Sequence, residues 1–117
     1  MIQLPAILVV DDEVRSLESL ARILGDDFEV HTASSVTDAN RILEKEWIQA
    51  VLCDQRMPDQ SGVEFLKTVR SRWPEIIRMI VSGYTDSHDI IDGINEAGIY
   101  QYITKPWHPD TLVISLK

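Results

Sequence analysis

The sequence predicts an α/β fold in which an open, five-stranded parallel sheet carries helices on both of its faces, a doubly wound arrangement. Two patterns predict it: short apolar runs recur five times along the chain, and the segments between them have apolar residues every three or four positions. Strands that are buried on both faces of a parallel sheet show such largely apolar runs. Five strand–helix units are too few for a closed eight-stranded barrel, so we expect an open sheet joined by right-handed crossovers.

The apolar runs and the periodic segments between them give the predicted elements. Ser35 and Asp86 precede two of the helical segments and are expected to be N-caps, while Gly25 and Gly98 stand where helices commonly end. The last helix is expected to be cut off by the end of the sequence. The predicted strands are residues 6–10, 28–33, 48–53, 76–81 and 99–103, and the predicted helices are residues 14–24, 36–43, 63–69, 90–97 and 109–117.

The composition is typical of one globular domain with an acidic surface, which we expect to span residues 1–117. Of the 117 residues 44% are hydrophobic, and 11 Lys and Arg against 19 Asp and Glu give a net charge of −8. This balance disfavours direct binding to nucleic acid or to an anionic membrane, because both need a local excess of cationic side chains. No secretion signal opens the chain and no apolar run approaches the ~18 residues of a membrane span, so a cytoplasmic location is expected.

Cysteine and tryptophan are given structural roles. Cys53 is the one cysteine, so it has no partner for an internal disulfide, and we expect it to be a small buried hydrophobe. Trp47, Trp73 and Trp107 fall at the ends of predicted elements, where they are expected to pack against the domain.

Polar residues cluster directly after the predicted strands, at the edge where doubly wound sheets bind their ligands. Each of these residues alone is ordinary as a turn, cap or loop residue. Their coincidence at one edge of the sheet favours a functional site. Asp11 and Asp12 follow the first strand, Asp54 the third, Ser82 the fourth and Lys105 lies just after the fifth.

The chemistry of this set points to a cation and a phosphoryl group. Three carboxylates at neighbouring strand ends would repel one another, and Mg²⁺ is a hard cation that takes such oxygen ligands. Asp54 stands alone at its strand end and is the best candidate for a nucleophile toward a phosphoryl group. Lys105 would supply a fixed positive charge, and the hydroxyl of Ser82 could hydrogen-bond a phosphoryl oxygen.

The motifs at the strand ends resemble those of the receiver domains of two-component response regulators, and the resemblance covers the whole chain. The motifs are VVDDE, DQRMPDQSG, SGYTD and YITKPW, in that order. The resemblance implies a flavodoxin-like sheet with strand order 2-1-3-4-5 and Asp54 as phosphoacceptor and metal ligand. It also implies that Asp12 binds Mg²⁺ directly, that Asp11 binds it through water, and that the backbone carbonyl of Arg56 is a further ligand.

The same resemblance implies a switch and partners. Lys105 would pair with the phosphoryl group, and Ser82 and Tyr102 would form the switch, with the hydroxyl moving toward the phosphoryl group and the ring following it. A sensor histidine kinase would be the donor, and the regulated output domain, expected to serve transcription, would lie outside this N-terminal fragment. The domain would signal rather than turn over a substrate, and a homodimer is compatible with that role.

The motifs of this chain resemble those of receivers attached to two types of output domain. DQRMPDQSG and GIYQYITKPW look like receivers of NtrC-type regulators of hydrogenase synthesis, the favoured reading, and like receivers joined to cyclic-di-GMP phosphodiesterases.

Three further alternatives stay open. A phosphatase of the haloacid-dehalogenase type also uses an aspartate nucleophile and Mg²⁺, but it would need a second acid where this chain has Arg56. A flavin mononucleotide binder would need a Ser/Thr/Gly-rich phosphate loop after strand one, where Asp11 and Asp12 stand. A receiver that never accepts phosphate would keep the fold without the reaction.

Overall fold

The protein forms a five-stranded parallel sheet in the order β2-β1-β3-β4-β5. A computed structural model describes residues 4–57, 60–82 and 98–104. The doubly wound sheet and its strand order are as predicted, whereas the predicted helices at 90–97 and 109–117 and the predicted cap Asp86 lie outside the described residues. The strands are β1 (Ala6–Val10), β2 (Glu29–Ala33), β3 (Ala50–Asp54), β4 (Ile77–Ser82) and β5 (Ile99–Thr104), and the described helices are α1 (Val14–Leu24), α2 (Val36–Lys45) and α3 (Gly62–Arg72).

Helices cover both faces of the sheet, as the sequence predicted. Successive side chains of a strand point to opposite faces, so β1 contributes to two separate cores. Leu8 and Val10 belong to the core that contains residues of α2 and α3, whereas Ile7 and Val9 belong to the core that contains residues of α1. All five β1 side chains are therefore buried, which explains the uninterrupted apolar run.

The helix ends follow the sequence signals in part. Ser35 is the N-cap of α2, and its hydroxyl accepts a hydrogen bond from the backbone N–H of Asp38 at 3.1 Å. Gly25 is the C-cap of α1 but has a right-handed backbone, so it does not supply the left-handed conformation for which glycine is often selected there. Gly98, which directly precedes β5, does adopt that conformation, with φ of 61°.

The prediction that all the tryptophans pack against the domain is wrong for Trp47. Its side chain is 82% exposed, whereas Trp73 is partly buried against the core, as expected. The difference arises at the end of α2, where Glu46 has extended backbone and the chain leaves the helix before Trp47. Trp107 lies outside the described residues.

Arg78 places a charge within the apolar run of β4. Its guanidinium donates hydrogen bonds to the carbonyl oxygens of Pro74, Ile76 and Gly98, at 3.2, 2.9 and 3.3 Å. One side chain therefore joins the loop before β4 to the residue before β5.

In the described ranges, no helix combines the length and the apolarity that crossing a bilayer requires.

Candidate functional site

The register of the sheet brings the predicted acidic site residues to one edge. Val10 of β1 is paired with Cys53 of β3, so the residues that follow them, Asp11 and Asp54, are neighbours. Asp54 is the last residue of β3, one residue beyond the apolar run, because its backbone is still paired with that of Val81. The carboxyl ends of the central strands thus present the polar residues that the sequence placed there.

Asp11, Asp12 and Asp54 form a compact acidic cluster. Each offers a carboxylate oxygen, and these oxygens all lie within 4.8 Å of one another. Asp11 and Asp54 are buried and Asp12 is exposed. Two of the carboxylates are therefore partly desolvated, and the third lies at the protein surface. Like charges at this separation raise the free energy of the site unless a cation lies among them.

The backbone around Asp11 holds its carboxylate in place. Its N–H donates to the carbonyl oxygen of Ala33 at 3.1 Å, which extends the contact between the β1 and β2 ends. Its Oδ1 accepts a hydrogen bond from the N–H of Glu13 at 2.9 Å. Glu13 is the N-cap of α1 and is not a member of the acidic cluster, although it is an acid next to Asp12 in the sequence.

Gln55 closes the loop that follows Asp54, a role the sequence reasoning missed. Its N–H donates to the carbonyl oxygen of Val81 at 2.9 Å, and its own carbonyl oxygen accepts from the N–H of Gly62 at 2.9 Å. Its side-chain Oε1 accepts from the N–H of Val63 at 3.0 Å, and the Gln55 side chain is buried. The first residue after the candidate nucleophile therefore holds both β4 and the start of α3.

The start of α3 is capped a second time by Ser61. Its hydroxyl accepts from the N–H of Glu64 at 3.2 Å. The spacing of Ser61 and Glu64 is the S-x-x-E pattern of a helix start, so the sequence contained the signal that placed this N-terminus. No comparable local pattern marked Gln55, because its partners lie seven, eight and 26 residues away along the chain.

Cys53 is fully buried behind the acidic cluster, as expected. Burial, and to a smaller extent the charges of Asp54 and Asp11, raises the pKa of its thiol well above the ordinary value of 9.0. Its Sγ donates to the carbonyl oxygen of Asp54 at 3.3 Å. The thiol is thus a neutral packing group and offers no thiolate to the site.

The remaining predicted site residues are placed by the backbone. Ser82 is the last residue of β4 and is paired with Thr104 of β5, and Tyr102 is paired with Ile80. Arg56 lies in the loop after Gln55 with an exposed side chain. Lys105 follows β5 directly and lies outside the described residues.

An all-oxygen cluster of this kind has the donor chemistry of a site for a hard divalent cation. Mg²⁺ takes oxygen ligands and keeps several of its waters, so it can contact one or two of these carboxylates directly and another through water. The cluster also places a buried carboxylate beside the charges that such an ion would offset. A buried carboxylate beside a bound cation has the chemistry of a nucleophile toward a phosphoryl group.

Comparison with known proteins gives the family and the size of its relatives. Residues 7–117 match the response regulator receiver domain. Hydrogenase transcriptional regulatory proteins HoxA are 64% identical in Bradyrhizobium diazoefficiens and 58% identical in Cupriavidus necator, each over 111 residues that cover 95% of this chain and 23% of the relative. The chain thus spans about a quarter of the length of these curated relatives, and the similarity to hydrogenase regulators that the motifs indicated is confirmed.

Solved structures support the same assignment. The signal receiver domain of an HD domain-containing protein from Pseudomonas fluorescens Pf-5 has a TM-score of 0.92 and 29% identity, covering 97% of this chain and 92% of that one. A CheY-like response regulator receiver domain protein from Methanospirillum hungatei JF-1 has a TM-score of 0.90 and 30% identity, covering 97% and 91%. The chain belongs to the response regulator receiver domain family.

Proposed function

We propose that this domain accepts a phosphoryl group on Asp54 from a sensor histidine kinase and thereby regulates an output domain. The observation that carries the proposal is the acidic cluster, in which the Asp54 carboxylate meets those of Asp11 and Asp12 within 4.8 Å. A bond forms between an Asp54 carboxylate oxygen and phosphorus. At the same time the bond between phosphorus and a ring nitrogen of the kinase histidine breaks. The imidazole then takes up a proton from solvent.

A divalent cation is the group that this cluster would hold, with Mg²⁺ as the proposed ion. Asp12 would bind it directly, Asp11 through water, and Asp54 and the Arg56 carbonyl would complete the protein ligands. When bound, the ion offsets the negative charge that gathers on the transferring group. The chain's own contribution is to hold the Asp54 carboxylate at the end of β3, where burial limits its motion and the loop after it is tied down.

Ser82, Lys105 and Tyr102 are proposed to convert the modification into a signal. Lys105 would pair with the phosphoryl group, and the Ser82 hydroxyl would donate a hydrogen bond to one of its oxygens. Tyr102 would follow the hydroxyl inward and change the outer surface at β5. The position of Ser82 at the end of β4, and its pairing with β5, support this route.

The favoured output is transcription regulation. Two relatives with 64% and 58% identity are named hydrogenase transcriptional regulatory proteins and are about four times as long as the aligned segment. At 29% identity, the similarity to the receiver of an HD domain-containing protein is weaker support for a receiver attached to a cyclic-di-GMP phosphodiesterase. We propose that the domain signals in the cytoplasm and turns over no substrate. We also propose that it makes no direct contact with nucleic acid or membrane. A homodimer is compatible with the sequence.

A phosphatase of the haloacid-dehalogenase type is less well supported. Such an enzyme would need an acid two residues after its nucleophile to protonate a leaving group. Arg56 stands at that position with an exposed side chain.

The deciding experiment is phosphorylation by acetyl phosphate with and without Mg²⁺, followed by intact mass. We expect the added mass of one phosphoryl group in the parent, its loss on removal of Mg²⁺, and its loss in Asp54→Ala. Glu13→Gln is the matched control, since Glu13 is a neighbouring acid outside the cluster. An unmodified parent, or modification that persists in Asp54→Ala, would refute the proposal.

A further inference from the structure

We propose that Gln55 is a positioning residue that pre-forms the cation site by closing the loop on which Arg56 lies. The inference rests on the proposed function, because it concerns the loop that would supply the carbonyl ligand. It assigns a role to a residue that is neither an acid nor a phosphate contact.

Three hydrogen bonds converge on Gln55 from two elements. Through its N–H it extends the pairing of β3 with β4, at Val81. Through its carbonyl oxygen and its Oε1 it accepts the N–H groups of Gly62 and Val63, the first two residues of α3. The backbone and the side chain of Gln55 thus join the residue after Asp54 to the start of α3.

The hydrogen bonds that Gln55 accepts satisfy backbone N–H groups at the start of α3, which have no acceptor within the helix. The first N–H groups of a helix lack intrahelical acceptors and must find them elsewhere. At the start of α3 the N–H groups of residues 62, 63 and 64 are accepted by Gln55 O, Gln55 Oε1 and Ser61 Oγ respectively. Without Oε1, the Val63 N–H would be left in a buried place with no acceptor, and that costs more than a lost hydrogen bond between exposed groups.

Closing the loop orders Arg56 before any cation arrives. A loop with free ends must lose conformational entropy when its carbonyl binds an ion, and this loss weakens binding. Gln55 directly precedes Arg56 and is held by its own hydrogen bonds. Part of the conformational entropy of the loop is therefore already lost on folding. Residues that orient a metal ligand without touching the metal have this effect on affinity elsewhere in proteins.

Ser61 provides the matched comparison for a merely structural role. It caps the same helix end with one side-chain hydrogen bond, but its acceptor reaches Glu64 and does not hold the residue next to Asp54. Ser61→Ala and Gln55→Met therefore each remove one capping acceptor from α3. Only the second removes a hydrogen bond that ties the residue next to Asp54 to α3, while the two backbone hydrogen bonds of residue 55 remain.

The test measures Mg²⁺ binding directly by isothermal titration calorimetry, together with amide hydrogen exchange in the absence of Mg²⁺. We expect Gln55→Met to raise the dissociation constant for Mg²⁺ by about tenfold and to increase exchange at Arg56, Met57 and Val63. Ser61→Ala should lower thermal stability and leave the Mg²⁺ dissociation constant unchanged. Gln55→Asn, whose amide is one methylene shorter, provides a second variant should Gln55→Met fold poorly.

Phosphorylation by acetyl phosphate separates failure of this inference from failure of the proposed function. If the parent binds Mg²⁺ and is phosphorylated, but both Gln55 variants bind Mg²⁺ as tightly as the parent, the role of Gln55 is refuted and that of Asp54 stands. Equal weakening of Mg²⁺ binding by Ser61→Ala would likewise refute it, because general loosening of α3 would then be sufficient. A parent that neither binds Mg²⁺ nor is phosphorylated would overturn the proposed function itself.

Discussion

The backbones of Gly62 and Asp54 lie so close together that there is no room for a side chain at residue 62. A Cβ atom built on Gly62 would lie 3.0 Å from the carbonyl carbon of Asp54 and 3.0 Å from the Cα atom of Gln55, and nearer still to the Asp54 carbonyl oxygen. All three are backbone atoms, which cannot rotate away as a flexible side chain can. The first residue of α3 is therefore in contact with the end of β3 because it is glycine.

Gly62→Ala is expected to destabilise the domain by about 2 kcal/mol, because α3 must move away from β3 to make room for the methyl group. The sign is informative, since alanine is ordinarily better than glycine in a helix by about 1 kcal/mol. Chemical denaturation measures the free energy of unfolding. Ser71→Ala, at an exposed position of the same helix, is the control and should be neutral or slightly stabilising; a stabilised Gly62→Ala protein would contradict the close approach.

Arg78 is expected to matter more to stability than Arg72, although Arg72 has an ion pair. Arg72 lies over the ring of Trp73 and bonds Glu44 at 3.0 Å, but both partners of that ion pair are about half exposed. Such surface pairs contribute about 0.5 kcal/mol. Arg78 instead satisfies three carbonyl oxygens with its planar guanidinium, a geometry that lysine does not reproduce.

We accordingly expect Arg78→Lys to lower the free energy of unfolding by about 1.5 kcal/mol and Arg72→Lys by about 0.5 kcal/mol or less. Urea denaturation of the two variants beside the parent makes the comparison. Equal losses would show that the three carbonyl contacts of Arg78 contribute no more than one surface ion pair.

The burial of Cys53 gives a pH dependence with a definite sign. The folded state raises the pKa of the thiol above the ordinary value of 9.0, so above that pH the unfolded chain loses its proton while the folded chain keeps it. The unfolded state then binds fewer protons, and stability falls as pH rises. The contribution is complete below pH 9.0 and is lost progressively above it.

Cys53→Ala is expected to be less stable than the parent at pH 7, and the difference should shrink by about 1.4 kcal/mol between pH 8 and pH 10. Denaturation in urea at several pH values measures both proteins under the same conditions. A constant difference over this range would indicate that the thiol titrates alike in both states.

The strands and the acidic cluster could be predicted because both depend on local pattern and on one topological rule. Runs such as Ala6–Val10 are apolar because both faces of the sheet are covered, and the parallel order then puts Asp11 and Asp54 at the same edge. The apolar run stops one residue before the end of β3, because backbone pairing with Val81 continues past the last apolar side chain.

Other features depend on contacts between distant parts of the chain. Gln55 and Gly62 acquire their roles only when α3 begins against the end of β3. Arg78 is explained by a carbonyl 20 residues later, at Gly98. Trp47 was expected to pack because large aromatic side chains usually do, and its exposure depends on where the chain turns after α2.

Mg²⁺ is expected to stabilise the parent and not Asp12→Asn. A ligand that binds only the folded state adds about 1.4 kcal/mol at ten times its dissociation constant. Asp12 is the exposed member of the cluster, so its replacement by the isosteric amide removes the proposed cation ligand at a position away from the buried residues. Thermal unfolding over a series of Mg²⁺ concentrations, with Ca²⁺-free buffer and constant ionic strength, measures the effect.

Glu13→Gln is the control that gives this last comparison its meaning. It removes one negative charge from the adjacent position, outside the group of three carboxylates, and its backbone N–H can still donate to Asp11. We expect it to keep the full stabilisation by Mg²⁺, because the effect requires a ligand and not merely local negative charge. If both variants lost the stabilisation equally, the ion would be held by the diffuse field of the acidic surface, and Asp12 would not be a specific ligand.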